Sequence, residues 1–129
     1  MPPYYVYIIS NFAREVFYIG VTNNIESRTW EDKNNLGGVF TSKYKCHYLL
    51  YYEEHTDIRK AIAREKQLKR WHREWKIALI RKNNPDMKDL AENWFGKNFI
   101  SRKIDRDQKW SNDKKIPLSG QASGNFQGI

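Results

Sequence analysis

Two short runs of apolar and aromatic residues open the chain, Tyr4–Ile9 and Val16–Ile19, with polar residues between them. Their β-branched and aromatic side chains suit a pleated, half-buried surface. Strand alternation puts Tyr5, Tyr7 and Ile9 on one face of the first run and Tyr4, Val6 and Ile8 on the other; Tyr18 and Gly20 share a face of the second. A four-residue turn, Asn11–Arg14, would set Tyr7 directly opposite Tyr18. An odd-numbered loop would send the two tyrosines to opposite faces, because the side-chain period is two.

Further along, Asn23 and Asn24 are good helix N-caps, and the pattern predicts a short helix from Ile25 to about Lys33. Asn34-Asn35 and Gly37-Gly38 break it, and Val39–Lys45 reads as a loop. His47–Glu53 reads as a third strand with an apolar centre covered on both faces. Thr56 or Asp57 caps the next helix. Ile58, Ala61, Ile62, Leu68, Trp71 or His72, Trp75, Ala78 and Leu79 keep helical spacing to about Lys82, with a bend near Trp71–Arg73 splitting it in two. Trp71 and Trp75 read as core. Asn84-Pro85 ends the helix, and Pro85-Asp86 opens a last short one, Met87–Phe95. The expected fold is α+β, a small, mostly antiparallel three-stranded sheet flanked by helices.

Composition adds a boundary and a partner class. From Gly96 the apolar periodicity stops, and residues 97–129 hold seven Lys and Arg against three Asp and Glu. The division expected is a folded domain over 1–96 and a basic, disordered or loosely docked tail over 97–129. The net charge of +8 and the pI near 9.6 favour a polyanionic partner. Residues 59–82 concentrate this, with ten Lys and Arg against Glu65 and Glu74, a pattern suited to tracking phosphates. A single cysteine, Cys46, excludes an internal disulfide and reads as a small hydrophobe. No apolar run approaches the ~20 residues of a membrane span, and the N-terminus lacks a secretory pattern. The expected location is a reducing cytoplasm, with no membrane partner.

Two charged residues sit where apolar ones are expected. Glu65 lies on the stripe of the long helix, and a carboxylate there needs a metal or an ion-pair partner such as Arg28 or Lys69. Periodicity does not choose between them. Arg28, three residues after Ile25, falls near the core side of the first helix, where its stem could pack on Trp30 or Tyr18. His47, His55 and His72 lack ligand spacing, and no phosphate loop or Ser/His/Asp constellation stands out.

YVYII (Tyr5–Ile9) and YIG (Tyr18–Gly20), with REK and QLKRW over 64–71, resemble the paired motifs and the helix of the GIY-YIG nuclease family. The first motif lacks the glycine of the family's name but keeps its tyrosine, Tyr7. The resemblance runs from about Tyr4 to Phe95 and is closest to small, single-domain, excinuclease-like members. It implies a metal-dependent endonuclease that hydrolyses phosphodiester bonds in DNA, or else a DNA- or RNA-binding module of the same fold with weak or lost catalysis. In that likeness Tyr7, Tyr18, Arg28 and Glu65 are catalytic, and Glu65 binds a divalent ion, Mg²⁺ or Mn²⁺, with waters and phosphate oxygens as the other ligands. Arg28 holds the scissile phosphate with its planar fork. One tyrosine takes a proton from the attacking water, its phenolate favoured by the phosphate-bound metal and Arg28. Gly20, Thr41, Lys43, Tyr44, Lys66 and Lys69 are substrate-binding, with Gly20 bare so as not to crowd the phosphate. Asp32 departs from the pattern, since many relatives carry histidine there. An ionised aspartate repels phosphate, but it can orient Arg28 as an i,i+4 partner.

Overall fold

The computed structural model describes residues 2–95, so the expectation of a tail over 97–129 lies outside the described residues. The chain runs β1 (Tyr4–Ser10), β2 (Phe17–Thr22), α1 (Ile25–Lys33), α2 (Val39–Lys43), β3 (Tyr48–His55), α3 (Ile58–Arg70) and α4 (Arg73–Asn83). The three strands form one wholly antiparallel sheet, in the order β2-β1-β3. The central strand carries the most apolar run, and Val6 to Ile9 are all buried because helices cover both of its faces.

Each face owns a core. Val6 and Ile8 pack with Phe17, Ile19, Leu50 and the α3–α4 residues Ala61, Leu68 and Ile80. Tyr7 and Ile9 pack on the opposite face with Val16, Ile25, Cys46, Leu49 and Ala91. Asn24 caps α1 by accepting from the Ser27 N–H, and Asp57 caps α3 by accepting from the Arg59 N–H.

Four expectations are corrected. The β1–β2 connection is six residues long, so Tyr7 pairs with Gly20 and Tyr18 with Ile9. The tyrosines keep a common face but stand diagonal rather than opposite. The cause is the Asn11 carboxamide, whose oxygen accepts from the N–H groups of Glu15 (2.9 Å) and Val16 (3.1 Å) and closes a wider loop. Val39–Lys43 is a short helix, not a loop; five residues are too few for periodicity to register.

Met87–Phe95 forms turns, not a helix. The Leu90 N–H donates to the Leu49 carbonyl at 2.7 Å, and Asp89 accepts from the N–H groups of Leu49 and Ala91 while pairing with buried Lys33 at 2.5 Å. These bonds dock the segment on β3 instead of letting it coil. Finally, the bend at Trp71 and His72, both extended with ψ of 150° and 157°, resets the helical phase. The buried face of α4 is Lys76 and Ile80, whereas Trp75 and Ala78 point outward.

Candidate active site

Pairing Tyr7 with Gly20 builds the centre of the site. The Tyr7 ring leaves the middle strand and crosses the edge strand at the one position that has no side chain. A Cβ on Gly20 would stand 2.6 Å from the Tyr7 hydroxyl and 2.7 Å from its Cζ. The glycine is therefore cleared for the phenol itself, which is a nearer reason than crowding of a phosphate. Tyr7 is 1% exposed, and its hydroxyl has no hydrogen-bond partner among the described residues. A buried hydroxyl without a partner is costly, and a ligand oxygen arriving there would satisfy it.

Arg28 and Asp32 face this hydroxyl from α1, one turn apart. The Arg28 Nη2 donates to the Gly37 carbonyl at 3.2 Å, and its Nε lies 3.7 Å from the Asp32 Oδ2, too long for a hydrogen bond. The Nε is therefore a buried donor without an acceptor among the described residues. Asp32 is 1% exposed, and among the described residues neither of its oxygens makes a hydrogen bond of good geometry, the Thr41 hydroxyl lying near it without reaching one. Its carboxylate lies against the bare Cα of Gly37, where any Cβ would overlap it. Burial pushes its pKa up to about 6, against the opposing pull of Arg28 and the Thr41 hydroxyl. For Arg28, burial opposes the charge, but Tyr7 and Asp32 outweigh it and raise its pKa further.

Tyr18 comes from β2 on the same face, partly exposed, its ring 5.8 Å from Phe40. Phe40 in turn stacks on Tyr44 at 4.8 Å, so the three rings tie α2 to the site. Phe40 is a positioning residue that the sequence did not single out, because its segment was read as a loop. Thr41 points inward and is buried, whereas exposed Lys43 lies over the Tyr44 ring at 5.3 Å.

Glu65 approaches from α3. Its neighbours on the stripe, Ala61 and Leu68, are fully buried, while Ile58 and Ile62 are exposed, so the apolar stripe is narrower than expected. Glu65 itself keeps 19% exposure and pairs with Lys69 at 3.1 Å, the ion pair foreseen as the alternative to a metal. Lys66 is exposed beside it. The rotation of α3 is fixed by Arg64, which donates to the Glu53 carboxylate on β3 at 2.9 Å and to the Gln67 side chain at 2.7 Å. Glu53 also accepts from the Tyr51 hydroxyl at 2.5 Å. Arg64 and Glu53 were not expected as positioning residues; nothing local marks a pair eleven residues apart.

Electrostatics link these groups. The Tyr7 phenol is pushed well up by burial first and by Asp32 second, with Tyr18 and Glu65 adding to the shift and Arg28 opposing it. Each of those four side chains thus lies within electrostatic reach of one hydroxyl. Arg28 pulls toward the phenolate, as expected, but burial and Asp32 outweigh it. Of the residues expected at the site, Tyr7, Tyr18, Gly20, Arg28 and Glu65 come together with Asp32. Thr41 borders them, Lys69 engages Glu65, and Lys43, Tyr44 and Lys66 lie outside the immediate cluster.

A single half-exposed carboxylate fits a hard divalent ion that keeps waters or substrate oxygens as its other ligands. Among the described residues no group of three or more His, Cys, Asp or Glu could cage a metal, so Glu65 would hold such an ion alone. Lys69 would have to yield part of its hold on the carboxylate.

No curated protein and no solved structure matches this chain. The family model described as the GIY-YIG catalytic domain matches residues 3–78, a span from the start of β1 into α4 that contains the whole cluster around Tyr7. The chain belongs to the GIY-YIG catalytic domain family, a family of nuclease type.

Proposed function

We propose that the protein is a metal-dependent endonuclease acting on DNA phosphodiesters in the cytoplasm, with residues 1–96 as the catalytic domain and 97–129 as an appendage. One observation carries the reading. The Tyr7 hydroxyl and the Arg28 Nε are both buried donors with no acceptor among the described residues, and Arg28, Asp32 and Glu65 all act electrostatically on that hydroxyl. Two unsatisfied donors in one cluster with a carboxylate suit a phosphate oxygen and its counter-ion.

In this reading Arg28 binds and orients the phosphate, held in place by Asp32 and the Gly37 carbonyl. Tyr7 stays protonated and donates a hydrogen bond to a phosphate oxygen. Tyr18, which solvent reaches, is then the tyrosine placed to accept the proton of the attacking water. A divalent ion on Glu65 supplies charge neutralisation as negative charge builds at the phosphate. Gly20, Thr41, Lys43, Tyr44, Lys66 and Lys69 are proposed to meet the nucleic-acid backbone around the site.

The test is purified protein incubated with single-stranded, duplex, branched and RNA substrates, with Mg²⁺ or Mn²⁺ and with chelator. Metal-dependent DNA cleavage that disappears in Arg28→Ala is expected. Binding without cleavage under all metal conditions would favour the second reading, a nucleic-acid-binding module. Buried Asp32 motivates that reading, since it brings negative charge close to where a phosphate would sit.

A further inference from the structure

A second surface lies on the far side of α3 from Glu65. Successive residues of a helix turn by about 100°, so Lys60, Arg64, Gln67 and Arg70 share a face that Glu65 does not. With Trp71 and Trp75 beyond the bend they line an open groove of about 680 Å³. That volume lies within the ~300–1,000 Å³ typical of ligand sites.

The groove combines two features that protein stability does not require. Trp75 is 55% exposed, its indole held 5.9 Å from the Trp71 ring and 5.1 Å from the His72 ring. Those contacts fix the indole without covering it. Arg64 is engaged with Glu53, Gln67 and the Trp71 face at 5.3 Å. Lys60 and Arg70, in contrast, are exposed and have no ion-pair partner among the described residues.

Different occupants would use these features differently. A duplex backbone would satisfy the cations but leave the indole in water, because paired bases do not offer their faces. An acidic peptide would do the same. An unpaired nucleic-acid strand offers a phosphate to each cation and a base face to the indole. We propose that this groove binds a single-stranded segment of nucleic acid, with Lys60 and Arg70 on its phosphates and Trp75 stacking on a base. The proposal rests on the functional reading above only for the class of partner, and it concerns a site separate from the candidate catalytic cluster.

The experiment uses the full chain, chelator to prevent cleavage, and fluorescence anisotropy with a labelled oligothymidylate and a labelled duplex of equal length. Trp75→Ala should weaken oligothymidylate binding roughly 5- to 150-fold, the range for one lost base stack, and Trp75→Phe should restore most of it. Arg70→Ala should lower the salt slope for the single strand by about 0.7, one phosphate's share. Duplex binding and metal-dependent cleavage should stay within twofold of wild type in Trp75→Ala. Unchanged single-strand affinity in both variants would overturn the proposal. So would displacement of the oligonucleotide by poly-glutamate at equal charge, which would mark the groove as a general acidic-polymer site. A protein that binds through the groove yet never cleaves with metal would refute the nuclease reading and leave this proposal supported.

Discussion

At the scale of single residues, the site is defined by polar groups that the fold buries and leaves open to a ligand. Glu65 gives the sharpest test. Glu65→Gln is expected to abolish metal-dependent cleavage while moving the melting temperature little, because its only ion pair among the described residues, with Lys69, is partly exposed and worth about 0–1 kcal/mol. Retained cleavage in that variant would refute the catalytic assignment.

Asp32 gives a pH test. Its pKa in the fold, about 6, stands above its ordinary 3.8. Its contribution to stability is therefore complete below about pH 4 and is lost as pH rises through 6. Arg28's attraction is already inside that balance. Asp32→Asn should raise the melting temperature above pH 6, with the gain vanishing near pH 4. Melts from pH 4 to 8 check this, and a gain that grows on acidification would contradict it. Gly20→Ala should destabilise by about 1–3 kcal/mol, as overpacking against a ring that cannot retreat from the core; a denaturant titration measures it.

At the scale of elements, side-chain bonds between distant segments decide how the pieces dock. Lys33 on α1 and Asp89 after α4 form a buried pair, with Lys33 also donating to the His47 carbonyl at 2.6 Å. Asp89 in turn accepts two backbone N–H bonds. Asp89→Ala would take the carboxylate from a buried ammonium and free those two donors. A loss of about 3–5 kcal/mol is expected, read as a lower denaturation midpoint. A change below 1 kcal/mol would show that the segment is not tied down in this way. Arg73 does comparable work on the other side. It donates to the carbonyls of Glu15 (2.7 Å) and Arg14 (2.9 Å) and stacks on Phe17, so the N-terminus of α4 is held to the β1–β2 loop.

At the scale of the whole molecule, charge governs association. The surplus of +8 predicts binding that falls steeply with salt. If about four to six phosphates are neutralised, affinity should drop by about two to three orders of magnitude between 50 and 200 mM salt. A flat plot of log affinity against log salt would rule out a mode that tracks the backbone. Among the described residues no helix is long and apolar enough to cross a membrane.

The sequence by itself determined what depends on neighbours along the chain. Alternation placed Tyr5, Tyr7 and Ile9 on one face of β1, an asparagine cap placed α1, and the bend expected near Trp71–Arg73 stands at Trp71 and His72. An arginine and a glutamate on core-facing stripes marked Arg28 and Glu65 as exceptions to the pattern, while Tyr7, Tyr18 and Gly20 were singled out only through the resemblance of their motifs to the family's. Only the tertiary structure decided matters that depend on contact. One carboxamide, on Asn11, set the β1–β2 register by closing a wider loop, and so paired Tyr7 with Gly20 rather than with Tyr18. The clearance of Gly20 for a phenol and of Gly37 for a carboxylate involves residues 13 and five positions apart, meeting at distances no spacing rule encodes. The same holds for the upward shift of the Tyr7 phenol, which follows from the burial of its hydroxyl first and from Asp32 second. Period and propensity are local and survive in the sequence; register, burial and charge balance are sums over distant neighbours, and they exist only once the chain has folded.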